Sequence, residues 1–425
     1  MSSIRRVLVV LCALAGLGPA LPAQEELAAP PKGKDLEGLV RRYLEADESE
    51  RVRIREDCDR LYAPLPRDAR LARLRKELLE IASEVGPEIS WKGRNYLLDE
   101  KTARGKYLAR GGGKSLWIGL HGGGHGVGSA ESAAGAMGGL GARWLFPEVL
   151  EKTSRGWTDA DTDKFVIELI RAAKRSGKVD PDRIYVTGHS MGGYGAWTLG
   201  AHHADVFAGA AAYAGAPSPM FGNSAREIRD IEPGVLPSYF RLPLFFYQSL
   251  DDRNVPPEPN VFANKALLAL KEQYGEGFEF RYQEVDGRGH AAPAEGYQPS
   301  QKWIGGFRRE ARPKRFLWQP AVDWKKHMYW LHWQKPERGT LVDAQVTGPN
   351  EILVTLDSGE FPRGMSVLLG APLVDPEREV KIRVNGFDAY RGVAEARLST
   401  LLMTLPRHDD ALLFDTRVDL KAPRR

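Results

Sequence analysis

The sequence predicts an α/β chain: a mostly parallel, doubly wound sheet with a helical extension before it and a β-sandwich-like domain after it. Three observations carry that expectation. Between residues 91 and 312, short apolar runs ending in glycine-rich loops alternate with helical stripes, the mark of strand–helix–strand crossovers. Residues 24–90 place their apolar side chains at helical spacing, and residues 313–425 change to two-residue alternation. At 425 residues the chain exceeds one ordinary domain, and 42% hydrophobic residues supply a real core. Its 60 Lys+Arg against 56 Asp+Glu, with no basic run, exclude an electrostatic nucleic-acid binder.

Residues 1–23 read as an export signal. Arg5 and Arg6 give the positive start, Val7 to Leu17 the apolar run, and Leu21-Pro22-Ala23 the cleavage site. The run is too short to span a bilayer, and Gly16, Gly18 and Pro19 interrupt it. Leu11 before Cys12 argues against a lipoprotein anchor. The expected location is therefore secreted or periplasmic, with no transmembrane segment in the mature chain. Removing Arg5 and Arg6 with the leader lowers the formal charge from +4 to +2 and leaves Cys58 without a disulfide partner.

In the extension, Leu36, Leu39, Val40, Tyr43 and Leu44 share one helical face, and Leu71, Leu74, Leu78 and Ile81 another, with Pro64 and Pro66 breaking the chain between them. The intervening Arg, Glu and Asp read as solvated, and the extension is expected to pack against the α/β segment next in the chain. The expected sheet strands are Leu116–Leu120, Ile184–Thr187, Ala208–Tyr213, Leu244–Tyr247 and Phe278–Val285, with a helix opening at Asp161 and Asp163. In the tail, Ile352, Val354, Leu356 and Val380, Ile382, Val384 alternate with polar neighbours, and Asn385-Gly386 supplies a hairpin turn. The segment Arg397 to Leu405 fits helix or strand.

The strongest chemical signal is Gly188-x-Ser190-x-Gly192 directly after an apolar strand. A strand that turns sharply into a helix thrusts the middle residue outward, and only small neighbours let the backbone close so tightly. Upstream, His121-Gly122-Gly123-Gly124 offers backbone N–H groups to a developing oxyanion, with the Met191 N–H as a second donor. No Gly-Lys-Ser/Thr comes after it, so a phosphate loop fails. The pair His121 and His125 lacks the helix and third ligand that a metal would need. A serine needs a base, and the base an orienting carboxylate. Asp251 and Asp252 follow one strand, and His290 follows another on Asp286-Gly287-Arg288-Gly289. Both loops belong at the carboxyl edge of the sheet. No cofactor or metal is implied. His189 reads as packing, His202-His203 as charges at a helix end, and Cys58 as structural.

Residues 105–310 resemble an α/β-hydrolase of the esterase D, polyhydroxybutyrate-depolymerase and feruloyl-esterase kind, related to dienelactone hydrolases and prolyl-oligopeptidase catalytic domains. The likeness rests on Asp180 through Gly195 around the elbow and on the order serine, acid, histidine. In such families the acid stands three residues before a Val-Pro, which selects Asp252 over Asp251. The resemblance therefore implies a catalytic triad of Ser190, Asp252 and His290, an oxyanion hole of Gly122, Gly123 and Met191, and a small-molecule or polymer-linked ester as substrate. It does not cover the extension or the tail. No β-propeller precedes the catalytic unit, and Ala216 to Arg241 is the sizeable insertion from which a cap could be built, which favours an open site.

Two rival readings share the fold. A serine peptidase would use the same triad. A non-catalytic polysaccharide binder would use Trp303, Trp318, Trp324, Trp330 and Trp333 as a stacking surface, although those residues equally suit packing between domains. A third arrangement keeps the esterase and lets the tail target it to a polymer.

Overall fold

The computed structural model describes residues 27–91, 95–97, 105–123, 127–151, 156–222, 227–275 and 277–422. The expected leader at 1–23, together with Gly124 and His125, lies outside them. Helices α1 (Gly33–Glu45), α2 (Glu48–Leu61) and α3 (Ala69–Ser83) come first. Next come β1 (Asn95–Leu97), β2 (Lys106–Gly111), β3 (Leu116–Leu120), α4 (Ala130–Ala136), β4 (Arg143–Pro147), α5 (Ala160–Arg175), β5 (Ile184–His189), α6 (Met191–His202) and β6 (Gly209–Tyr213). A hairpin of β7 (Pro219–Phe221) and β8 (Ile228–Ile231) precedes β9 (Leu244–Ser249), α7 (Glu258–Tyr274), β10 (Phe280–Val285) and α8 (Gln298–Ile304).

The main sheet runs β1-β2-β4-β3-β5-β6-β9-β10. The strands from β4 to β10 are parallel; β2 is antiparallel to β4, and β1 to β2. Strands β3, β6 and β9 are buried along their whole length, because helices cover both faces and alternation would put polar groups into a core. Val166, Leu169, Trp197 and Leu267 of α5, α6 and α7 pack on one face, and Ala133 of α4 and Ile304 of α8 on the other. Register aligns the carboxyl ends: His189 pairs with Tyr213, Tyr213 with Tyr247, and Val285 with Ser249. The loops that leave β5, β9 and β10 therefore meet at one edge.

The tail contains β11 (Arg315–Trp318), β12 (His327–Met328), β13 (Leu331–Trp333), β14 (Val342–Gly348), β15 (Glu351–Leu356), β16 (Met365–Leu369), β17 (Val380–Val384), β18 (Phe387–Gly392), α9 (Leu398–Thr404) and β19 (Thr416–Asp419). It forms two sheets, β11-β14-β15-β17-β18 and β12-β13-β16-β19. Asn385 and Gly386 both have positive φ, at 48° and 85°, as the tight turn between β17 and β18 requires. The ambiguous segment at 397–405 is helical.

Two expectations change. Helix α2 does not stand out in the sequence because its buried side is only Ile54 and Cys58. The extension packs on the far end of the chain as well as on the neighbouring α/β segment: Leu36, Val40, Ile54, Cys58 and Leu78 share a core with Leu398, Leu401, Leu402 and Leu413, while Pro87 O accepts from Arg175 Nη2 at 2.7 Å and Ser90 N–H donates to the Tyr107 hydroxyl at 2.7 Å. Trp318, Trp330 and Trp333 are 2%, 0% and 0% exposed within the core that also covers α5, α6 and α7. Their faces are closed to any glycan, and the tail shares one hydrophobic core with the helices on that face of the main sheet.

Candidate active site

Ser190 sits at the end of β5 with φ 59° and ψ −125°, a backbone that a non-glycine residue holds only when its surroundings enforce it. The enforcement is visible. Ser190 N–H donates to Tyr213 O at 2.9 Å, and Ser190 O accepts from Gly193 and Tyr194 N–H at 2.8 and 3.1 Å. A Cβ on Gly188 would lie 2.2 Å from Gly192 O, and one on Gly192 2.3 Å from Leu120 O. Any side chain at either position would force the strand and helix apart.

His290 Nε2 lies 2.8 Å from Ser190 Oγ, and its Nδ1 lies 2.7 Å from Asp252 Oδ2. The Asp252 side chain is 0% exposed and that of His290 23%, so the carboxylate is sealed while the imidazole reaches solvent. Asp252 Oδ1 accepts from the N–H groups of Asn254 and Val255 at 2.8 and 3.0 Å. Burial alone would raise its carboxyl; the hydrogen bond with His290 and these two donors win and hold it below the usual carboxylate range. The structure thus brings Ser190, Asp252 and His290 together. Asp251 has a different partner set: its Oδ1 accepts from Ser249 Oγ, Arg288 N–H and Gly289 N–H at 2.5, 3.1 and 2.8 Å. It ties down the backbone of the loop that carries His290.

Gly122 lies against the elbow: a Cβ there would stand 2.9 Å from His189 O and 3.2 Å from Ser190 Cβ. Gly123 is next, with φ 85°. Met191 opens α6, where the first N–H groups have no acceptor inside the helix. His121 anchors this loop. Its Nδ1 pairs with Gly122 O at 2.8 Å, its Nε2 accepts from Val149 N–H at 3.3 Å, and its carbonyl accepts from Trp157 Nε1 at 2.9 Å. His189 points its Nε2 at the carbonyl of His290, 3.2 Å away. Burial, then the neighbouring His290, pushes its imidazole down to about 4, so it is a neutral donor that props His290.

Some supporting residues carry no sequence signal. Gln248 Nε2 donates to Val255 O at 3.1 Å, and Asn260 Nδ2 donates to Gln248 Oε1 and Gly215 O at 2.8 and 3.0 Å, which pins the acid turn to the elbow. The one hint is a glutamine closing an apolar strand. His202 and His203 are not merely end-of-helix charges; they lie 3.2 and 2.5 Å from the buried Asp163 carboxylate of α5.

A family model described as "Putative esterase" matches residues 139–360, over half the chain. The chain belongs to that family. The match spans the elbow, the Asp252 turn and the His290 loop and runs on into the tail. Among curated proteins, "Putative esterase NocK" of Nocardia uniformis subsp. tsuyamanensis is 34% identical over 120 residues, which is 25% of this chain and 35% of that protein. The aligned part thus spans about a third of that relative's length. Among solved structures, a thermostable esterase is 21% identical with TM-score 0.38, covering 51% of this chain and 63% of that one. A butyrate-bound thermophilic esterase of the planctomycete Thermogutta terrifontis is 16% identical with TM-score 0.36, covering 50% and 90%.

Proposed function

We propose that this esterase-family chain is an exported serine hydrolase that cleaves carboxylic esters through an acyl-enzyme intermediate. The observation that carries this reading is the relay from Ser190 Oγ to His290 Nε2 at 2.8 Å and from His290 Nδ1 to Asp252 Oδ2 at 2.7 Å on a strained elbow. Ser190 Oγ attacks the ester carbonyl carbon as His290 Nε2 takes its proton, and ionised Asp252 stabilises the imidazolium. Charge on the carbonyl oxygen is met by N–H groups of Gly122, Gly123 and Met191. His290 then protonates the departing alkoxide. In the second half a water, deprotonated by the same imidazole, adds to the acyl carbon, and Ser190 leaves with the proton.

Family membership and a solvent-facing base support a small or polymer-linked ester over a substrate drawn into a deep tunnel. Export to the periplasm or beyond rests on the leader pattern at residues 1–23. The test uses the chain from Gln24 with p-nitrophenyl acetate, butyrate and octanoate. Release of p-nitrophenol should be fastest from the short esters and fall by about 10³–10⁴ or more in Ser190→Ala. Equal release by the folded variant, or a preference for aminoacyl amides over matched esters, would contradict the reading.

A further inference from the structure

A cavity of about 420 Å³ lies where α1, α2, α5 and the tail converge, and eight Lys and Arg side chains line it against three Asp and Glu. Sequence logic assigns these charges to solvent, but here they turn inward. The carboxylates nearest them are already shared. Asp205 holds both Lys325 and Arg407, at 2.5 and 2.7 Å, and Asp409 holds both Lys174 and Arg309, at 2.9 and 2.8 Å. Arg51 and Arg55 meet neutral oxygens: Arg51 donates to Tyr43 O and Leu44 O, and Arg55 to the Tyr43 hydroxyl. Glu48 pairs with Lys326 at 3.2 Å and Glu168 with Arg171, so Arg51 and Arg55 are the lining cations left without a carboxylate among the described residues, and positive charge is in surplus.

The second, independent observation is a set of orphaned ring nitrogens. Nδ1 of His203, His327 and His332 and Nε1 of Trp324 are buried without a hydrogen-bond partner among the described residues, and all four residues line this cavity. His203 and His332 are only 1% and 8% exposed. His327 and His332 face each other across β12 and β13 with ring centroids 4.6 Å apart. Burial first, and then surrounding positive charge with Arg55 among its sources, holds His327 well below its ordinary value and pushes His332 down to about 3. An indole N–H can only donate, and imidazoles in such a field gain a proton only when negative charge arrives. His203 gives its Nε2–H to Asp163, so its Nδ1 is an acceptor, but the Trp324 N–H, the His327 and His332 rings and the Arg51 and Arg55 guanidinium groups, none held by a carboxylate, converge on a volume many times that of one water, which takes about 30 Å³. That is the chemistry of a site for a multivalent oxyanion.

We propose that this cavity binds a small molecule carrying phosphate or clustered carboxylate groups, held by Arg51 and Arg55, by Lys326 in exchange for its pairing with Glu48, and by Trp324 and the His327–His332 pair. Binding there would clamp the helical extension to the tail and to α5. It would be a ligand site separate from the ester-cleaving one, since none of its residues belongs to the elbow or its loops.

The test titrates the full chain with inorganic pyrophosphate and, separately, with citrate, against sodium chloride of equal ionic strength. Unfolding temperature and heat are the readouts. One saturable site per chain is expected, with the tighter probe identifying the phosphate or carboxylate class. Arg55→Gln should weaken it by at least about tenfold, while turnover of a small ester stays unchanged. Lys326→Gln, on a partly exposed side chain, gives the same test should Arg55→Gln misfold. Ring ¹⁵N signals of His327 and His332 should shift on saturation. Absence of saturable binding by either probe, or equal binding by both folded variants, would overturn the proposal.

Discussion

At Asp252 one carboxylate oxygen meets His290 and the other takes two backbone N–H groups, whereas Asp251 bonds to Ser249 and to the backbone beneath His290. The two neighbours should therefore fail differently. Asp252→Asn removes the charge that stabilises an imidazolium and disturbs the tautomer, so kcat should fall about 10⁴-fold with the fold intact. Asp251→Ala leaves that charge in place and loosens only the loop, so the loss should be about tenfold to a hundredfold. Steady-state kinetics on one p-nitrophenyl ester measures both, and equal losses would argue that the two carboxylates work as one unit. Sequence spacing separates them only through the family's Val-Pro pattern. Geometry separates them directly, because successive residues in a turn point different ways.

The element that matters most is the strand–turn–helix of β5 and α6. Its glycines answer to contacts rather than to flexibility: a methyl group at Gly192 would sit 2.3 Å from Leu120 O on the neighbouring strand. Gly192→Ala should therefore cost about 3 kcal/mol or more and abolish ester cleavage, read from a urea midpoint and an activity assay. A variant with unchanged midpoint and rate would mean that the elbow has more room than these distances allow. The motif is legible in sequence because the turn admits so few residue types. The parallel strands are legible for the same kind of reason, since burial on both faces leaves only apolar residues. Helix α2 is not, because two buried side chains among fourteen residues do not make a stripe.

At the scale of the whole molecule, the sequence separates three units that the structure joins. Helical spacing in α1 and α3 shows which face is apolar; it cannot show that α9, more than 300 residues later, is what covers it. Charged residues mislead in the same way. Arg407 and Asp205 look like surface groups until the fold buries them together, 202 positions apart. The tail shares its core with the main sheet through Trp318, Trp330 and Trp333, so removing it should not simply uncouple a targeting module. Deleting residues 313–425 is expected to give an insoluble chain that is inactive on small esters as well. A soluble product with full small-ester activity, judged by gel filtration and turnover, would contradict that continuity.

Ester cleavage through this relay requires that Ser190 become covalently acylated. The direct measurement treats the chain from Gln24 with a fluorophosphonate or a slowly deacylating p-nitrophenyl ester and locates the added mass by peptide mass spectrometry. One adduct is expected, on the peptide containing Ser190, absent in Ser190→Ala and strongly slowed in His290→Ala. An adduct on another residue, or ester turnover without any modification of Ser190, would contradict it.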